Sequence, residues 1–227
     1  MEKLALSDEI LLKIEKPARY IGNEINSITK DKSEVEIRIG MCFPDVYEIG
    51  MSHLGIQILY DMFNSYQDVW CERIYSPWID LDRIMRQEHI PLFTLESQEP
   101  VRELDFLAIT LQYEMCYTNI LNMLSLAEVP LHAKDREGLH NIVFAGGVCT
   151  FNPEPLADFV DFFSLGEGEE ITPEIVSLYD RAKAEGFGEN TRLSAWAIWL
   201  ASGSRTPPRF KKLSRQRLRR VGCISRS

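Results

Sequence analysis

The side chains best suited to chemistry cluster in four short stretches, each directly after an apolar run. Asp45-Val-Tyr47-Glu-Ile-Gly50 brings a carboxylate, a phenol and a glycine close together, with Pro44 ahead of them. Gln112-Tyr113-Glu114 offers an amide, a second phenol and a second carboxylate. Gly146-Gly147 opens a third stretch that runs to Pro155, and Gly166 to Glu170 forms a fourth. Paired glycines either let the backbone approach a flat ligand closely or simply turn the chain, and both readings stay open. A phosphate cradle is excluded. No GxxxxGK[ST] or GxGxxG is present, and Glu169 and Glu170 would repel a pyrophosphate at a helix start. The same two acids are well placed against a helix dipole. No nucleophile elbow is found. The five cysteines (Cys42, Cys71, Cys116, Cys149, Cys223) show no CxxC or CxxxCxxC spacing, so no zinc or iron-sulfur site ligated within the chain is expected.

The elements that must position these stretches follow from periodicity. Ser7 before DEILLKIEK predicts a short capped helix that Pro17 ends or restarts. Val35 to Cys42 predicts the first strand, stopped by Pro44. Met51, Leu54, Ile58 and Met62 recur at helical spacing, with Ser52 available as a cap. Further strands are expected at 69–74, 106–111, 141–145 and 159–165, with a weaker one at Pro91 to Leu95. Further helices are expected at 81–88, 117–126 and 169–184, the last burying Ile175, Leu178, Tyr179 and Ala182. In NPEP, Asn152 is read as a cap with Pro153 in a first helical turn. Apolar strands alternating with helices predict a Rossmann-like α/β fold: a mostly parallel sheet with helices on both faces. Ligands of such sheets bind outside the carboxyl ends of the strands, where the four stretches fall.

The first stretch resembles the D-x-H-x-x-G loop of cobalamin-binding domains, in which the histidine ligates cobalt. Here Tyr47 holds the histidine position, and a neutral phenol is a poor cobalt donor. His53 is the nearest imidazole and is read as a non-ligand side chain. More broadly, PARYIGNEINS, FPDVYEIGMSHLGIQILYDMFN, ERIYSPWID, IPLFTLES, LQYEMCYTNILNML, AGGVCTFNPEPLADFVD and LGEGEE occur in this order. Together they resemble the N-terminal domain of a family of radical S-adenosylmethionine (SAM) proteins, a domain similar to B12-binding domains. The resemblance covers about residues 10 to 186.

That resemblance implies a corrinoid site over Pro44, Asp45, Tyr47, Gly50, Gln112, Tyr113, Glu114, Gly146 and Gly147, without a histidine ligand. Under the same reading the domain would otherwise shape the substrate side of a radical SAM barrel, supplied in cis or in trans, and the alternative is a cofactor-free interaction domain that docks on a radical SAM partner. Members of the family carry a downstream CxxxCxxC that holds a [4Fe-4S] cluster and binds SAM. This chain lacks it, so no metal ligand or catalytic residue is assigned and the chain is expected to generate no radical alone. Arg19, Tyr20, Glu24 and Asn26 belong to the family-like N-terminal arm, and an internal salt bridge or a docking surface explains them equally.

Composition adds a division within the chain. The 227 residues carry a formal charge of −9, which resolves into −18 for residues 1 to 186 and +9 for the remainder, where 8 Arg and 2 Lys face only Glu189. Three regions are expected: an arm at 1–34, a B12-binding-like domain at 35–186 and a discordant basic tail at 187–227. Out-of-frame translation is the preferred account of the tail, and a genuine basic tail for nucleic acid or an acidic partner is the other. Low order is expected beyond about residue 200. Elsewhere the acidic charge argues against nucleic acid. The amphipathic start is no signal peptide, and no apolar run approaches the ~20 residues that span a bilayer. A cytoplasmic location without membrane partners is expected.

Overall fold

Five apolar segments pair into one sheet because each can bury both faces, the condition for all-parallel pairing. In the computed structural model, which describes residues 6–184, the strands are β1 (Ile37–Phe43), β2 (Val69–Tyr75), β3 (Phe106–Thr110), β4 (Ile142–Gly146) and β5 (Phe162–Phe163). Their order is β2-β1-β3-β4-β5, every pair parallel. The α/β class and parallel sheet predicted from periodicity are therefore present. The basic segment 187–227, and the low order expected beyond about residue 200, lie outside the described residues.

Side-chain alternation along the strands feeds two cores. Ile37, Ile39, Met41 and Phe43 of β1 point to one face, where helices α3 (Leu54–Asn64) and α6 (Gly168–Ala184) pack. Cys42 of β1 with Leu107 and Ile109 of β3 point to the other, against α4 (Ile79–Glu88) and α5 (Tyr117–Leu126). Two short helices precede these: α1 (Asp8–Leu11), whose first turn the Ser7 hydroxyl caps by accepting from Ile10 N at 3.4 Å, and α2 (Tyr47–Gly50). No helix among the described residues is long and apolar enough to cross a membrane.

Four expectations need correction. The Met51, Leu54, Ile58 stripe is the outward side of its segment: all three are exposed, Leu54 to 67%, while Ile56, Tyr60 and Phe63 face the sheet. Two stripes compete for one helix, and the larger aromatic one takes the core. Ser52 is not the cap, because the helix begins one residue later with His53 at its N-cap, and the Ser52 hydroxyl donates to Ile49 O at 3.2 Å. In NPEP, Pro153 rather than Asn152 sits at the N-cap of the 3-10 turn Glu154–Leu156.

The fourth correction is the weak strand at Pro91 to Leu95. Only an isolated antiparallel bridge between Phe93 and Pro100 forms there. The segment instead covers the outer edge of β2: Leu95 N donates to Arg73 O at 2.9 Å, and the Glu96 carboxylate accepts from Arg73 N at 2.7 Å. A side chain thus replaces a backbone acceptor, so the pairing never becomes a ladder, yet the exposed edge is sealed. The N-terminal arm closes over the same side. Trp70 Nε1 donates to Ile28 O, and the Lys30 ammonium donates to Asn64 O, Tyr66 O and Val69 O, its pKa lowered by burial.

Candidate functional site

The sheet order reverses between β1 and β3, since the chain steps from β1 to β2 on one side and to β3 on the other. This switch point is where open α/β sheets bind ligands. The loops after β1 and β3 meet there. The Tyr113 hydroxyl donates to Asp45 Oδ2 across the gap, and Asp45 Oδ1 accepts from Val46 N at 2.7 Å. Asn119 Nδ2 donates to Pro44 O at 2.9 Å from α5. Burial, reinforced by the Asp45 carboxylate, pushes the Tyr113 phenol up to about 12.

The other sequence-assigned residues divide. Gln112 and Gly147 meet each other: a Cβ on Gly147 would lie 2.7 Å from Leu111 O and 3.2 Å from Gln112 Nε2, and φ there is +111°. That contact and that φ account for glycine at 147. Gly146 ends β4, and Glu114 is exposed beside Met115. Tyr47 is directed elsewhere, its hydroxyl donating to Glu24 of the arm and its ring set edge-on to Tyr75 at 5.3 Å. Gly50 supports that ring, since a Cβ would come within 2.5 Å of Tyr75. Burial and Glu24 push the Tyr47 phenol up to about 12. His53 rests against Phe43 with ring centroids 5.4 Å apart.

These contacts bear directly on a corrinoid. Asp45 and Tyr113 are bonded to each other, Tyr47 to Glu24, and the space at Gly50 and Gly147 is taken by the chain's own atoms. The residues do not fit a flat macrocycle as they stand, because it would have to part the Tyr113–Asp45 bond. Among the described residues, no group of three His, Cys, Asp or Glu is placed to hold a metal ion, and Cys42, Cys71, Cys116 and Cys149 are buried free thiols.

Two features escaped the sequence. One is a set of exposed apolar side chains in the segments that follow β1 to β4 at the carboxyl edge of the sheet: Ile49 in α2, Trp78, Ile79, Met115 and Val148, with Met115 86% exposed. A lone apolar residue in a loop carries no signal, and only the topology brings these to one edge. The other is the pairing of the arm. Arg19 bonds Glu48 through Nε and Nη2 at 2.9 and 2.8 Å, and Arg73 pairs with Glu24 and Glu96. The salt-bridge account of Arg19 and Glu24 therefore holds.

The family described as radical SAM proteins, N-terminal, matches residues 55–199, and the chain belongs to it. The matched stretch runs past Gly186 into the basic segment. A relative, an uncharacterised protein of Methanocaldococcus jannaschii, is 25% identical over 144 residues, which is 61% of this chain and 26% of that protein. The chain thus spans about a quarter of the length of that relative. No solved structure matches.

Proposed function

We propose that this domain is a docking wall for a radical SAM barrel, packing the carboxyl edge of its sheet against the barrel's substrate side. The observation that carries the reading is the apolar rim, where Ile49, Trp78, Ile79, Met115 and Val148 expose large side chains around the switch point. Exposed apolar surface of this kind marks an interaction site. A partner is at hand in the longer Methanocaldococcus jannaschii relative, of which the match covers 26%. The [4Fe-4S] cluster and SAM chemistry would reside in that remaining part. This domain's own residues would orient and enclose the substrate side and exclude water.

The test uses the longer Methanocaldococcus jannaschii relative, with Asp placed at the positions aligned to Met115 and Val148. Limited proteolysis should cleave between the domain and the remainder several times faster in the substituted protein. An unchanged cleavage pattern would overturn the docking reading.

Corrinoid binding at Pro44, Asp45, Tyr47, Gly50, Gln112, Tyr113, Glu114, Gly146 and Gly147 is the second reading, and it requires the Tyr113–Asp45 bond to open. The strand order supports it, because the loops with these residues flank the switch point. Hydroxocobalamin mixed with the 227-residue chain and passed through gel filtration separates the two. Corrin absorbance travelling with the protein favours the second reading, and a colourless protein peak favours the first.

A further inference from the structure

The eight tyrosines of the chain differ in what faces their hydroxyls. Tyr47 donates to Glu24, Tyr113 to Asp45 and Tyr179 to Asp105, each to a carboxylate. Tyr179 is 3% exposed, and the Lys183 ammonium lies 5.5 Å from its ring centroid. Tyr47 and Tyr113 are half-buried at the carboxyl edge of the sheet, on the segments that follow β1 and β3. Of the rest, Tyr20, Tyr60 and Tyr75 each face a guanidinium, from Arg19 or Arg73, and Tyr117 meets backbone carbonyls. Trp70 and Trp78 also carry guanidinium groups against their rings, Arg38 at 5.3 Å and Arg19 at 5.7 Å.

These surroundings decide which ring gives up an electron. Oxidation leaves positive charge on an aromatic ring, which a nearby guanidinium or ammonium opposes and a carboxylate favours. A phenol must also lose its proton to become a neutral phenoxyl radical. A carboxylate that already accepts the O–H is a base in hydrogen-bond reach of that proton. At Tyr47 the facing charges are Glu24, then Arg73 and Glu48, two carboxylates against one guanidinium. At Tyr113 the facing charge is Asp45. Both phenols stay protonated up to about 12, so at neutral pH the electron and the proton leave together rather than through a phenolate.

We propose that Tyr47 and Tyr113 form a redox site at the carboxyl edge, each giving an electron to a one-electron oxidant such as an organic radical while its proton passes to Glu24 or Asp45. The phenolic O–H bond breaks, a carboxylic O–H bond forms, and the oxidant takes the electron. Reduction of the phenoxyl radical reverses both transfers. An organic radical that reaches this edge is thereby quenched. The site is independent of the docking reading, since the oxidant can arrive from solution.

The test oxidises the 227-residue chain with flash-generated ruthenium(III) tris-bipyridine and follows tyrosyl radicals by visible absorbance and electron paramagnetic resonance. Tyr47→Phe and Tyr113→Phe should each remove part of the tyrosyl signal, and the double variant most of it. Glu24→Gln in the Tyr113→Phe background, and Asp45→Asn in the Tyr47→Phe background, should slow formation of the remaining radical about a hundredfold, the low end of what a positioned base supplies. The wild-type rate, which needs no substitution, should be flat from about pH 6 to 9, between the carboxylate and phenol ranges. A rate that climbs with pH across that window would mean that the proton leaves to water and would overturn the proposal. A tyrosyl signal untouched by the double variant, or tryptophan radicals with no tyrosyl signal, would overturn it as well.

Discussion

Tyr113 reaches across the gap between β1 and β3 to bond Asp45, so the switch point of the sheet is bridged by the chain's own side chains. The bond holds the phenol in its neutral form. Burial and then Asp45 raise the Tyr113 pKa from 10.0 to about 12. A raised folded pKa contributes stability below the unfolded value near 10, and that contribution is lost as pH rises through about 12. Ultraviolet phenolate titration should show one fewer late-titrating tyrosine in Tyr113→Phe than in the wild type. If the tyrosine missing from the Tyr113→Phe curve is one that titrates near 10, the phenol is not held by Asp45.

The N-terminal arm should respond at the opposite end of the pH scale. The Arg19 hydrogen bond, with help from Lys16, lowers the Glu48 carboxyl from 4.5 to about 2. A depressed folded pKa gives stability present above pH 4.5 and lost as pH falls through about 2. Glu48 is 40% exposed at its side chain, so solvent screening keeps the effect small. Melting temperatures of wild type and Glu48→Gln should differ at pH 6 and converge at pH 2. A gap that stays constant across that range would contradict the assignment.

What the sequence disclosed and what it hid divide along physical lines. Phe106 and Ile142 sit in strands whose apolar runs have no other use, and α5 (Tyr117–Leu126) falls where its periodicity places it. The segment after Pro91 is different, because its apolar residues pack against β2 while a carboxylate, Glu96, makes the bond that a strand would make with its backbone. No local pattern encodes that substitution. The stripe Met51, Leu54, Ile58 has helical spacing, but spacing alone does not say which of two apolar faces meets the sheet. At the candidate site, Asp45 and Tyr113 were each legible as a residue type at a strand end. Their mutual bond, and the turning of Tyr47 toward Glu24, depend on long-range packing.

A buried ion pair beneath that edge segment gives a stability prediction. Glu72 is fully buried, accepts from Arg38 Nη2 at 2.5 Å, and is completed by Thr94 Oγ1 and Ser97 N at 2.8 and 3.0 Å. Removing one partner strands the other charge away from water, which costs about 3–5 kcal/mol. Glu72→Ala should therefore unfold at a much lower urea concentration than the wild type. A loss below about 1 kcal/mol would mean that Glu99, the second acceptor of Arg38 at 2.6 Å, carries the pair alone.

The outward face of α3 and the apolar rim should be silent in the isolated chain. Leu54 and Met115 are 67% and 86% exposed, so replacing them removes little buried area. Surface substitutions of this kind change stability by about ±0.5 kcal/mol or less. Leu54→Lys and Met115→Asp should thus leave urea midpoints near wild type, whereas Phe106→Ala, fully buried against Phe144 and Tyr179, should cost about 3–5 kcal/mol. The contrast separates two roles for apolar residues in one chain. If Met115→Asp destabilises the chain by itself as much as Phe106→Ala does, Met115 belongs to the core, and the rim loses its standing as a docking surface.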